Sequence, residues 1–208
     1  MTGILFDLDG TLLDTLEDLK DGVNYALRTL GYPERSLEEV RRFVGNGARR
    51  LMELAVPEGT DGEEAFAVFK PYYDAHCQIK TKPYDGIPEA LEYLKEKYPI
   101  AIVSNKPDAA VKTLCAQYFP GIFALGESAA CPRKPAPDMV YQAMKAIGVD
   151  SCVYVGDSEV DVQTARNAGV PCLSVLWGFR RREELENNHF CEETSELVDK
   201  LEEMIHVQ

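Results

Sequence analysis

Residues 4–15 read ILFDLDGTLLDT: an apolar run delivers two carboxylates, Asp7 and Asp9, and the chain then turns on Gly10. Strand side chains alternate between faces, so Asp7 and Asp9 leave the strand toward one side, and glycine permits an abrupt exit. Two like charges held this close repel each other unless a cation or a shared proton relieves them. The pair therefore points to a divalent metal, a general-acid role, or both, and oxygen ligands make Mg²⁺ the natural ion. A solvated D-x-D turn has the same spelling, so the decision passes to the rest of the chain.

Further apolar runs rich in β-formers occur at Ile100–Ser104, Ile122–Leu125, Val153–Val155 and Cys172–Leu176, with helix-like stretches at Pro88–Tyr98 and Asp108–Tyr118. Strands alternating with helices imply an α/β fold: a Rossmann-like, three-layer core with a parallel sheet and helices on both faces. Such sheets bind ligands beyond the carboxyl ends of their strands. Residues 15–82 break the alternation. Leu16, Leu19, Val23, Ala26, Leu27 and Leu30 form one apolar stripe at helical spacing, ended by Gly31. Ser36 and Glu39 spell a capping box opening Leu37–Val44, and Gly45-Asn46-Gly47 interrupts before Ala48–Ala55 resumes the pattern. A last helix is expected over Glu63–Ile79, disturbed at Pro71. The predicted organisation is a core of residues 1–14 and 83–208 with a helical insertion at 15–82, hinged at Asp14–Glu17 and Thr81–Asp85.

The 208 residues are 45% hydrophobic, enough for one substantial core and a modest insertion. A net charge of −13 disfavours nucleic acid and anionic membranes, so any anionic ligand must be met by local cations. No window approaches the roughly 20 apolar residues of a membrane span, and the expectation is a soluble, cytoplasmic protein, monomer or homodimer. The six cysteines are scattered without C-x-x-C spacing or clustered histidines, which reads as reduced structural thiols. Met52, Met139 and Met144 read as core filler, His76 and Cys77 as packing within the insertion, and the acidic Glu183–Glu203 region as a solvated helical edge.

Three more polar clusters fall where parallel strands should end: Ser104-Asn105-Lys106, Arg133-Lys134-Pro135-Ala136-Pro137-Asp138, in which Asp138 is placed to cap a helix, and Gly156-Asp157-Ser158-Glu159-Val160-Asp161. Each alone is an ordinary turn or helix start; together they face one crevice. D-x-D-G-T, a strand-terminal S-N, K-P-x-P and G-D-x-x-x-D, in this order over essentially the whole chain, resemble the four motifs of the haloacid dehalogenase superfamily of phosphohydrolases. The insertion is similar to that superfamily's first type of cap domain, and RRFVGNGARRL, residues 41–51, resembles the cap signature of phosphoglycolate phosphatases and their nearest relatives.

The resemblance implies that Asp7 is the nucleophile and Asp9 the general acid and base. It further implies that Mg²⁺ is held by Asp7, the Asp9 backbone carbonyl and Asp157, with Asp161 as a further ligand or a support. By the same analogy Ser104, the Asn105 backbone and Lys134 stabilise the transferring phosphoryl group, and Lys134 also balances the carboxylates. Thr11 belongs to the phosphate side or the helix start, and a threonine there leans toward hydrolysis rather than sugar-phosphate mutation. The dehalogenase branch lacks the second aspartate. In the cap, the loop at Gly45 can bring backbone N–H groups to a small anion, and Arg49 or Arg42 is the candidate for a substrate carboxylate, unless both are ordinary surface charges. The expected activity is Mg²⁺-dependent hydrolysis of a small organic phosphate, 2-phosphoglycolate first, with pyrophosphate, a sugar phosphate, phosphoryl transfer or noncatalytic phosphate binding as rivals.

Overall fold

The computed structural model describes residues 1–129 and 131–206. The chain opens with β1 (Thr2–Phe6) and β2 (Leu13–Asp14), then runs through α1 (Leu16–Thr29), α2 (Leu37–Phe43), α3 (Gly47–Ala55) and α4 (Gly62–His76). It returns through β3 (Lys82–Pro83) to α5 (Ile87–Lys95), β4 (Ile100–Pro107), α6 (Asp108–Tyr118), β5 (Phe123–Glu127), α7 (Asp138–Ile147), β6 (Ser151–Gly156), α8 (Glu159–Ala168), β7 (Cys172–Val175), β8 (Phe190–Cys191) and α9 (Leu197–His206). Six strands form one sheet in the order β5-β4-β1-β6-β7-β8, every neighbouring pair parallel.

Alternation within the strands builds the three layers. Ile4 and Phe6 of β1 point into an apolar cluster with Ile87 and Leu91 of α5, Val111 and Leu114 of α6, and Leu197 and Leu201 of α9. Leu5 points the other way, onto Met139, Val140 and Ala143 of α7 and Val162 and Ala165 of α8. Both faces are therefore covered, as a parallel sheet requires. The first cluster continues into Leu19, Val23, Leu51, Met52 and Phe69 of the helical segment. All six cysteines are free and buried, as reduced packing thiols should be.

The two crossings between sheet and helical segment run side by side. β2 pairs antiparallel with β3 in the register Leu13↔Pro83 and Asp14↔Lys82, and the buried Asp18 carboxylate accepts from the N–H groups of Lys80 (3.0 Å) and Thr81 (2.8 Å). The expected capping box is present: Ser36 Oγ accepts from Glu39 N–H (3.3 Å) while Ser36 N–H donates to Glu39 Oε2 (2.8 Å).

Three local expectations are corrected. Helix α4 runs through Pro71, which lies on its exposed side while Ala65, Phe69 and Tyr73 face inward, and it ends at His76 rather than Ile79. Asp138 is the first residue of α7, after Pro137, and makes no capping bond. The region after Glu183 is not one solvated helix: β8 pairs with β7 before α9 begins, and Cys191, Leu197 and Leu201 are buried. Acidic composition hid a strand too short to show a period of two.

Candidate active site

Strand register brings the carboxylates together. Phe6 stands opposite Val155 on the neighbouring β6, and Asp7 N–H donates to Val155 O (2.8 Å), so the residues that follow both strands emerge side by side. Carboxylate oxygens of Asp7, Asp157 and Asp161 lie within 4.8 Å of one another, all buried. The turn after β1 presses against this cluster. Gly10 has φ +82°, and a side chain on it or on Gly178 would run into the Asp157 carboxylate.

Each carboxylate is held differently. Asp157 Oδ2 accepts from Phe179 N–H (2.7 Å), and its Oδ1 accepts from Thr11 Oγ (3.4 Å). Asp161, wholly buried, is fully engaged: Oδ1 faces Lys134 Nζ (2.7 Å), and Oδ2 accepts from Ser158 N–H (3.1 Å) and Ser158 Oγ (2.6 Å). Asp7 Oδ1 forms an ion pair with Lys134 Nζ at 2.9 Å, and among the described residues no other donor reaches this buried oxygen. Burial first, and then the Asp161 charge, push Asp7 up to about 7 against the pull of Lys134. Burial, Asp161 and Asp7 likewise hold Asp157 well above the usual carboxylate range. Burial alone would lower Lys134, yet Asp161 and Asp7 outweigh it and keep the ammonium charged.

A buried carboxylate oxygen met by a single ammonium, beside a second buried carboxylate whose ionisation burial opposes, is a donor set that suits a hard divalent cation. Asp7 and Asp157 have the oxygens to offer. Asp161 has both of its oxygens occupied and orients Lys134 and the start of α8.

Ser104 and Asn105 lie near the carboxyl end of β4, which runs on to Pro107 instead of ending at Ser104, and both are buried at the same crevice. Asn105 works through its side chain: Oδ1 accepts from Lys134 N–H (2.7 Å), and Nδ2 donates to Lys134 O (3.0 Å) and to Gly45 O of the loop after α2 (3.3 Å). A cavity lined by Asp7, Asp9, Ser104, Lys134 and Asp157 on the sheet side is roofed by Leu19, Val44, Gly45, Ala48 and Leu51. Arg49 is not among its lining residues. It pairs with Glu63, lies over the Phe66 ring at 4.3 Å, and its side chain is 50% exposed. Arg42 pairs with Glu38 at the surface. Three positions on α3 separate Ala48 and Leu51, which face the cavity, and helical geometry sends Arg49 elsewhere.

The structure adds residues that local spacing did not reveal. Lys106 Nζ donates to Asp9 Oδ1 (2.8 Å) and to the Tyr73 hydroxyl on α4 (2.6 Å). Burial works to lower Lys106, but Asp9 and Tyr73 outweigh it and hold the ammonium above the ordinary lysine range. Tyr154 OH meets Lys134 Nζ at 3.1 Å. Arg180 donates to Val44 O (2.7 Å), Arg41 O (3.1 Å) and Glu159 (2.7 Å), tying the loop at Gly45 to the start of α8. Trp177 Nε1–H donates to Thr11 O (3.0 Å), and Phe179 lines the cavity, so this segment borders the crevice. Of these, Lys106 carried a signal as the ammonium following Ser104-Asn105, and Trp177-Gly178-Phe179, after the last long strand, read as either a border of the crevice or a closure of the core.

Residues 4–175 match the family described as haloacid dehalogenase-like hydrolase. A phosphoglycolate phosphatase of Pseudomonas putida is 34% identical over 97% of this chain and 78% of its own length, and one of Aquifex aeolicus is 34% identical over 86% of each. A solved structure from Lactobacillus delbrueckii subsp. bulgaricus, provisionally described as a phosphoglycolate phosphatase, superposes with a TM-score of 0.90 at 37% identity over 96% of this chain and 98% of its own. With the fold, the converging carboxylates and these relatives in agreement, the chain belongs to the haloacid dehalogenase-like hydrolases, among their phosphatases.

Proposed function

We propose that this chain is an Mg²⁺-dependent phosphatase of small organic phosphates, acting through an aspartyl-phosphate on Asp7, with 2-phosphoglycolate as the preferred substrate. The observation that carries the reading is the buried trio Asp7, Asp157 and Asp161 with Lys134 locked among them. Asp7 is the nucleophile: its carboxylate attacks phosphorus in line, forming the acyl-phosphate bond as the ester P–O bond breaks. Asp9 gives its proton to the departing alkoxide through the oxygen that Lys106 leaves free, and then takes a proton from the water that attacks the phosphoryl-enzyme. Lys134, Ser104 and the Asn105 backbone neutralise charge on the transferring group, and Asn105 fixes Lys134 by both its N–H and its C=O. Asp7, the Asp9 carbonyl and Asp157 would hold Mg²⁺, which supplies charge neutralisation of the phosphoryl oxygens. Residues 15–82 act as a cap that excludes water from this chemistry.

The specificity reading is supported by the names of the relatives and by the roof of the cavity. Leu19, Val44, Ala48 and Leu51 offer no hydrogen bonds to a hydroxyl-rich sugar, which favours a compact leaving group over a hexose. The free, buried thiols fit a reducing cytoplasm. Quenched turnover with 2-phosphoglycolate and Mg²⁺, followed by peptide mapping, tests the mechanism. Phosphate is expected on Asp7 alone and none on Asp7→Asn; its recovery on any other side chain sinks the assignment.

A further inference from the structure

We propose that Lys106 and Tyr73 form a reader for a carboxylate on the leaving group, so that the substrates of this site are phosphate esters of short hydroxy acids. The proposal rests on the phosphatase reading and replaces Arg49, which the fold turns away from the cavity.

Both residues line the cavity and both are buried, the Lys106 side chain to 2% exposure. Their positions come from opposite walls: Lys106 from the end of β4, and Tyr73 from the inward face of α4. An ammonium has three donors, and among the described residues Lys106 uses two of them, on Asp9 Oδ1 and the Tyr73 oxygen. Tyr73 accepts from Lys106, and its own O–H is given no acceptor among the described residues. The third Lys106 N–H and the Tyr73 O–H therefore stand on atoms 2.6 Å apart, a spacing that suits the two oxygens of one carboxylate.

The unused donors, and not an unmatched charge, point to the ligand, since Asp9 already offers Lys106 a carboxylate. Two cationic side chains line the cavity, Lys134 and Lys106. Lys134 is committed to Asp7 and Asp161, whereas Lys106 faces one carboxylate only, Asp9. The position fits as well, because Asp9 serves the leaving oxygen and Lys106 is bonded to Asp9, one or two carbons beyond the ester. A leaving group ending in an anion meets Lys106 and Tyr73 there, whereas one ending in a methyl leaves them unmatched. Since Tyr73 belongs to the cap segment and Lys106 to the core, such a carboxylate bridges the two and favours the closed arrangement.

The test compares kcat/KM with Mg²⁺ for 2-phosphoglycolate and for ethyl phosphate, the two-carbon ester lacking the carboxylate. The wild type is expected to prefer 2-phosphoglycolate by about 100-fold or more. Tyr73→Phe, which removes one oxygen, should narrow that ratio about 10-fold, mainly through KM, and Lys106→Met should narrow it further. A merely structural role would depress both esters alike and leave the ratio standing. Should Lys106→Met fail to fold, the Tyr73→Phe ratio decides. A preference that survives both substitutions, or equal use of the two esters by the wild type, overturns this proposal while the phosphatase reading stands. Turnover of neither ester by the wild type overturns both.

Discussion

Asp7→Asn should make the metal-free protein more stable at pH 8 and leave it nearly unchanged at pH 4. Asp7 is buried against Asp161, and its pKa is raised from 3.8 to about 7, so the fold opposes its ionisation. A carboxyl raised in the native state is protonated in both states below about pH 4 and then costs nothing. As pH climbs from about 4 to about 7 the unfolded chain loses that proton while the native one retains it, so stability falls across this window and stays reduced above it. The rise corresponds to about 4 kcal/mol at full ionisation. An asparagine of the same shape carries no such cost, and Lys134 keeps Asp161 as its partner. Thermal melts in EDTA at pH 4, 6 and 8 measure the effect, with an expected gain of about 10 °C at pH 8 for a chain of this size. Mg²⁺ binding to the ionised native state should then shrink the advantage of the variant, by about 2.7 kcal/mol at a hundred times the dissociation constant. A variant that is less stable than wild type at pH 8 in EDTA, or an advantage equal at pH 4 and pH 8, would refute the reasoning.

Two further substitutions probe the supports of the site. Asn105→Ala unpins the backbone of Lys134 on both sides and is expected to lower kcat about 100-fold with little change in KM; unchanged kcat would show that Lys134 is positioned without it. Arg180→Met strips the donors from Val44 O and Arg41 O and loosens the Gly45 loop, so KM should rise about 10-fold and proteolysis within residues 44–47 should quicken; equal cleavage rates in both proteins would count against the clamp.

How much of this was legible in the chain depends on the range of the interaction. The sheet and its two helical faces followed from strand and helix periods, which are local. The convergence of Asp7, Ser104, Lys134 and Asp157 followed from their places after successive parallel strands, whose carboxyl ends share one edge. The capping box at Ser36 and the breaks at Gly10 and Gly45 were equally local. The chain was less legible where a residue's task is set by a distant partner. Asp161 was open between ligand and support, and its bonds to Lys134 and Ser158 favour support; Arg49 was open between anion reader and surface charge, and its pairing with Glu63 favours the surface charge; acidic content concealed β8.

The residues alone determined the main alternation of strands and helices and the edge at which the carboxylates gather, because hydrophobic period and strand-end position are properties of short segments. Only the tertiary structure decided which cations face the cavity. That choice depends on how α3 and α4 land on the sheet, and a rotation of one helix position would exchange Arg49 for Ala48 and remove Tyr73 from Lys106.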